Sequence, residues 1–279
     1  MTLKCPVCEQ RQLTPKRVLS NLMVLRCETC GLLISELVKL HHTGYRDIDD
    51  VAYEQSIAAV RREQAVNIVA AVEGRGEWLD IGCGYGYVLD EARRAGFTVR
   101  GVEPDAKAAD AARARLGDVI LAEDDDRPAK VISTLDVLEH IPTAELNAFA
   151  ESVHRRADVW VIKVPSSEGL FFKVAHATLP WSRSAVQRLW QSEHESPHTV
   201  YFSETSLIRF LAKHRFLIES VQYLDEIPSP TARERLRVDP TLKPWQVSLA
   251  VPVVRVINRL ERWRRKSDAL LLIARSHRR

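Results

Sequence analysis

The stretch "EWLDIGCGYGYVLDEA", residues 77–92, sets Gly82, Gly84 and Gly86 at alternate positions between an apolar run and a segment carrying Val88, Leu89 and Ala92. "EWLDIGC" reads as a buried strand and "YVLDEARRAG" as a helix closed by Gly96, so the glycines form a strand-to-helix turn. Backbone N–H groups and the first helical turn offer partial positive charge to a ligand there. The spacing argues against one class of ligand loop. A G-x-G-x-x-G dinucleotide turn has its third glycine three residues after the second, whereas Gly86 follows Gly84 by two and Tyr87 stands in the last glycine's place. Glu103 ends the next strand, "FTVRGVEP", 21 residues after Gly82. An acid at that place accepts both hydroxyls of a ribose, which points to an adenosine-type ligand.

Working outward, "VAYEQSIAAVRREQAVNIVAAVEG" has apolar residues at helical spacing and ends at Gly74. "DAKAADAARARLG" reads as a helix capped by Asp105 and stopped at Gly117. "DVILAE" and "KVISTLDVLEH" follow as strands, "TAELNAFAESVHRR" as a helix and "DVWVIKVP" as a strand. The helix "SETSLIRFLAKH", the strand "RFLIESVQYL" and a last strand "ALLLIARS" bring the count to seven strands. Alternating strands and helices predict an α/β fold with a mostly parallel sheet covered on both faces.

Upstream, four of the five cysteines form "CPVC" (Cys5, Cys8) and "CETCG" (Cys27, Cys30). Two CxxC knuckles supply four thiolates for a tetrahedral zinc ion, and the segment between them suits a hairpin, so a structural zinc ribbon is expected. All four positions are filled, leaving no open coordination site for chemistry. So short a segment has little core of its own, and metal binding supplies its folding energy. The reading divides the chain into a zinc ribbon over residues 1–40 and an α/β domain over 41–279.

The 28% charged and 46% hydrophobic composition is that of an ordinary globular protein, and no apolar run reaches the roughly 18 residues that cross a bilayer. The first residues carry no apolar export signal, and the cytoplasm is the expected compartment. The net charge of +3 is uneven: residues 252–279 carry nine Lys or Arg against two acids, and the rest carries 31 against 35. A mildly acidic body argues against nucleic acid as partner. In the basic C-terminal segment, about residues 245–279, Val253, Val254, Ile257, Leu260 and Trp263 fall at helical spacing beside arginines. The favoured expectation is a helix packed on the sheet with a solvated basic face; peripheral contact with the inner face of an anionic membrane is the alternative.

"LDIGCGYGYVL", "GVEPD" and "LDVLEHI", in that order, resemble the class I S-adenosylmethionine-dependent methyltransferases of small-molecule type over about residues 55–279. The resemblance implies a Rossmann-like seven-stranded sheet with an antiparallel last strand, and S-adenosyl-L-methionine as cofactor. Asp80, Gly82, Cys83, Gly84 and Gly86 would line its methionine part, Glu103 its ribose, and Asp124 or Asp125 its adenine, with Leu135 completing the set. Lys130 stands where this family often begins its fourth strand with an acid, which leaves the adenine contact open.

The methyl acceptor is read from motifs. No Asn- or Asp-Pro-Pro-aromatic motif follows the fourth strand, and no cysteine follows Cys83, which disfavours adenine N- and cytosine C5-methylation. The expected acceptor is a small molecule, a sugar or a lipid-linked glycan; a zinc-ribbon RNA methyltransferase and a non-catalytic cofactor-binding scaffold are the alternatives. His140 is the candidate general base, against a role with Glu139 in capping the next helix. Related enzymes bind a divalent ion through an acid-x-x-Glu-His segment and a later histidine, so Asp136, Glu139, His140 and His198 form a second possible metal set. Residues 166–200 are the expected acceptor lid, with Phe171, Phe172, Trp181 and Trp190 either lining it or packing it.

Overall fold

The computed structural model describes residues 4–18, 22–37, 50–123, 126–177, 183–192, 196–238 and 242–277. Its centre is a seven-stranded sheet: β4 (Glu77–Ile81), β5 (Thr98–Val102), β6 (Ile120–Leu121), β7 (Ala129–Leu135), β8 (Ala157–Pro165), β10 (Phe216–Leu224) and β11 (Ala269–Ser276). The order across the sheet is β10-β11-β8-β7-β4-β5-β6. The five strands from β8 to β6 run parallel, and β11 enters antiparallel between β8 and β10. The last strand is therefore interior, in keeping with its apolar sequence: Ala269 to Ala274 are all buried.

Helices cover both faces. α1 (Asp50–Ala70) and α2 (Tyr87–Arg94) pack together on one side, where Ile68, Trp78, Leu89 and Val131 share a core. α4 (Leu146–Arg156) and α7 (Glu204–Lys213) lie over the other, around Trp160, Phe210 and Phe216. α3 (Ala106–Leu116) begins where Asp105 accepts from the Ala108 N–H, a cap worth about 1 kcal/mol, and stops at Gly117. α7, which follows the short α5 (Leu170–Ala177) and α6 (Arg183–Trp190) and precedes α8 (Ala232–Arg237), is capped reciprocally by Ser203 and Ser206.

The cysteine segment forms more than a hairpin. β1 (Leu13–Val18), β2 (Leu22–Cys27) and β3 (Leu33–Leu37) pair antiparallel, and β9 (Val200–Tyr201), from the far side of the chain, adds a fourth strand beside β3. Leu32 and Ile34 bury into the same core as Trp160 and Phe202. The ribbon is thus sewn to the large domain by a sheet edge, because β3 would otherwise present unpaired N–H and C=O groups.

Several expectations need correction. "KVISTLDVLEH" is a strand only to Leu135, after which Leu138–His140 make one 3-10 turn. Neither Glu139 nor His140 caps the next helix, which starts at Leu146 with no side-chain cap. Lys130 sits at the entry of β7, at the opposite end from the glycine turn, where it pairs with Asp158 at 2.8 Å; its charge says nothing of an adenine contact. In the C-terminal segment the long helix α9 (Pro244–Arg264) turns Val254 inward but Val253, Leu260 and Trp263 outward. Its outer face is therefore apolar as well as basic, which a solvated basic face does not describe. Among the described residues no helix is long and apolar enough to cross a membrane.

Candidate active site

The glycine turn lies at the C-terminal ends of β4 and β5, the crevice where open α/β sheets take ligands. Gly82 and Gly86 are there by necessity. A Cβ on Gly82 would stand 2.6 Å from Val137 Cγ2 and one on Gly86 2.7 Å from Leu116 Cδ1, and both residues have positive φ. Gly84 differs: nothing lies within 4 Å of where its Cβ would be, so its backbone faces open space. Tyr87 finds room as the first residue of α2, with the guanidinium groups of Arg62 and Arg115 5.4 and 4.5 Å from its ring centre. It therefore stays clear of the close helix–strand contact that a glycine serves in dinucleotide turns.

Glu103 is held by the turn itself. Its Oε2 accepts from the Gly84 N–H at 2.8 Å and its Oε1 from the Asp105 N–H at 2.9 Å. A carboxylate has about four acceptor sites, so both oxygens keep capacity for ligand hydroxyls. Asp80, at the end of β4, is buried and accepts from Ser133 Oγ at 2.6 Å; Ser133 in turn accepts from Trp78 Nε1 at 2.8 Å. Burial pushes the Asp80 carboxyl up to about 7, against the Ser133 hydrogen bond and with a push from the Glu103 charge. Burial likewise raises the Cys83 thiol far above its ordinary value, which makes it a neutral packing group and no nucleophile. The open backbone of Gly84, the oriented Glu103 and the buried carboxyl of Asp80 match an uncharged sugar edge beside a cationic group, which is the chemistry of S-adenosylmethionine. Leu135 ends β7 one strand away. Asp124 and Asp125 lie outside the described residues.

Beyond β7 the chain holds a charged cluster that sequence reading missed. Lys163, in the middle of the apolar run of β8, is 2% exposed, and its Nζ contacts Asp136 Oδ1 at 2.7 Å and Glu226 Oε1 at 2.9 Å. Arg61 of α1 reaches Asp136 Oδ2 at 2.8 Å. Burial works against the Asp136 charge, but Lys163 and Arg61 outweigh it and hold the carboxyl below its ordinary range. Burial also opposes the Lys163 charge, and its two carboxylates overcome that. Asp136 has φ 59°, a left-handed conformation that costs a non-glycine residue and that clusters at functional positions. The only sequence sign of this cluster was a lysine interrupting an apolar strand.

Asp136 is thereby removed from the expected second metal set. Glu139, His140 and His198 do come together, with donor atoms within 4.8 Å of one another. The two imidazoles meet edge to face at 4.8 Å, and His198 Nδ1 lies 3.2 Å from the Tyr201 hydroxyl. Burial and the Asp136 charge push Glu139 well above its ordinary value. His140 is half-buried and lines an open apolar depression with Val137, Ile141, Pro142 and Phe149. In the expected lid, Phe172 and Trp190 are packed around Tyr201 rather than facing a cleft. Phe171 is half-buried, and Trp181 lies outside the described residues.

The four N-terminal thiols converge. Cys5 and Cys30 Sγ are 3.5 Å apart, Cys8 and Cys27 3.4 Å, and all four lie within 4.8 Å of one another. Zn–S bonds of about 2.3 Å in a tetrahedron place sulfurs about 3.8 Å apart, so the cage fits a zinc ion.

A family model described as a methyltransferase domain matches residues 56–221. Among curated proteins none matches the chain in sequence. Among solved structures, an S-adenosylmethionine-dependent methyltransferase from Archaeoglobus fulgidus is 13% identical, with a TM-score of 0.53 over 82% of this chain and all of that one. The cyclopropane synthase MmaA2 of Mycobacterium tuberculosis is 13% identical at a TM-score of 0.56, covering 85% and 89%. A chain from the complex of the Haloferax volcanii Trm112 methyltransferase activator with a methyltransferase is 17% identical at 0.54, covering 85% and 99%. At these identities the neighbours speak for the fold, and the family model for the membership. The chain belongs to the class I S-adenosylmethionine-dependent methyltransferases and carries, ahead of that domain, a four-cysteine zinc-binding ribbon.

Proposed function

We propose that this enzyme methylates a small-molecule, sugar or lipid-linked glycan acceptor, with His140 as general base. Asp80, Gly82, Cys83, Gly84, Gly86, Glu103 and Leu135 would hold the cofactor, which supplies a methyl group on a sulfonium already activated for displacement. What remains for the chain is to align the acceptor and take its proton. The observation that carries the small-acceptor reading is the apolar depression that His140 lines with Val137, Ile141, Pro142 and Phe149, beside the glycine turn, where Val137 also packs at Gly82. A hollow of that character, with one imidazole at its wall, suits an apolar or ring-bearing small acceptor. A lipid-linked acceptor also calls for a membrane-facing surface, and the outer side of α9 is the candidate. The domain division proposed is a ribbon to about residue 40 and the methyltransferase domain beyond it, in a protein of the cytoplasm.

The test incubates the protein with methyl-labelled cofactor and separate small-molecule, lipid and RNA fractions of a cell extract. Label in the small-molecule or lipid fraction supports the reading, and label confined to RNA contradicts it. Replacement His140→Ala should lower turnover at least about a hundredfold while leaving cofactor affinity intact; unchanged turnover removes His140 from the chemistry.

A further inference from the structure

Ten large hydrophobic side chains stand exposed among the described residues, and six of them belong to α9: Trp245, Leu249, Val253, Val256, Leu260 and Trp263. Their spacings of four, four, three, four and three residues put them in one stripe along the helix. Trp263 is 82% exposed and Trp245 60%; at 1.5 Å per residue they mark the ends of a band about 27 Å long. The opposite face, Val247, Val251, Val254, Asn258 and Glu261, is buried against the domain. Arg255, Arg259 and Arg262 stand exposed along one border of the stripe. The helix's single acid, Glu261, points inward, bound to the Leu170 N–H and to Ser267. Outward, the helix therefore shows no acid: apart from Ser248 its exposed side chains are apolar or cationic, with Arg262 leaning on Asp225 at 3.2 Å.

The mixture selects its occupant. A second copy of the helix would bring arginine rows together, and one stripe covers less than the roughly 800 Å² per partner of a stable interface. A nucleic acid would take the arginines and leave six apolar side chains in water. An anionic bilayer takes both: phosphates meet the arginines, acyl chains the stripe, and the two indoles lie at headgroup depth. We propose that the outer face of α9 docks the enzyme on an anionic lipid surface. Docking has a route to the site. Asn258, on the buried face of α9, donates to the Ile227 carbonyl at 2.9 Å, next to Glu226, which reaches Lys163. The proposal extends the lipid-linked branch of the proposed function, and the two fail separately.

The experiment is flotation of the full, zinc-loaded chain with vesicles of one part phosphatidylglycerol to three parts phosphatidylcholine, and with pure phosphatidylcholine. At about 1 kcal/mol for each surface arginine, binding to neutral vesicles should be about a hundredfold weaker. The double replacement Trp245→Ser, Trp263→Ser should weaken anionic binding at least about tenfold, with cofactor affinity unchanged by calorimetry. No flotation, or flotation indifferent to both tryptophans, overturns the proposal. So does a dimer that the tryptophan replacements dissociate, or RNA binding that they abolish, in a protein that ignores vesicles. Flotation without any cofactor binding would spare the docking surface and sink the enzymatic reading instead.

Discussion

Asp80 shows how burying one carboxyl ties the stability of the fold to pH. Burial lifts its pKa to about 7, above its unfolded value, so the folded state holds the extra proton between these limits. Stability from this group is present at low pH and is lost as pH rises from about 4 to about 7, by up to about 4 kcal/mol. Thermal or urea unfolding of the wild type and Asp80→Asn across this window should diverge accordingly; parallel pH profiles would contradict the burial argument. Lys163 is the converse case, a buried cation satisfied by two acids. Lys163→Met removes the partner of Asp136 and should cost about 3–5 kcal/mol in urea denaturation, whereas an unchanged midpoint would show that Arg61 alone satisfies the carboxylate. The glycines and Glu103 were legible in the sequence because turn geometry demands a residue type at a fixed place. Lys163 was not, since its partners come from the end of β7 and the loop after β10, far apart in the chain.

At the scale of elements, β3 and β9 decide how far the ribbon matters to the site. Besides their strand pairing, the Ser35 N–H donates to the Thr199 carbonyl at 2.8 Å and Ser35 Oγ to the His198 carbonyl at 2.7 Å. The ribbon thus holds the segment that sets His198 beside His140. Metal removal should consequently be felt beyond the cysteines. Chelation, or Cys27→Ser, is expected to raise amide hydrogen exchange over both residues 22–37 and residues 198–202, as the zinc contributes the ribbon's folding energy. Exchange confined to the ribbon would contradict the coupling. The CxxC knuckles announced the metal cage directly. The β3–β9 pairing was hidden, because a two-residue strand has no periodicity to read. α9 was half legible: its helical spacing was plain, but a helix with apolar residues on two faces does not say which face is inside until the sheet is in place.

For the whole molecule, the order β10-β11-β8-β7-β4-β5-β6 puts the glycine turn, Glu103 and the Asp136 cluster along one edge of a single sheet. The alternation of strands and helices foretold that sheet; the buried charge cluster at Asp136 and Lys163 arose only from packing. The account stands on the turn after β4 holding a methyl sulfonium nucleoside whose ribose Glu103 grips. Titration calorimetry of the full chain against S-adenosylmethionine, its demethylated product and NAD tests this most directly. The first two should bind, Glu103→Ala should weaken them about a hundredfold through two lost charged hydrogen bonds, and NAD should give no heat of binding. Tight binding of NAD with indifference to the methyl donor and its product would contradict it.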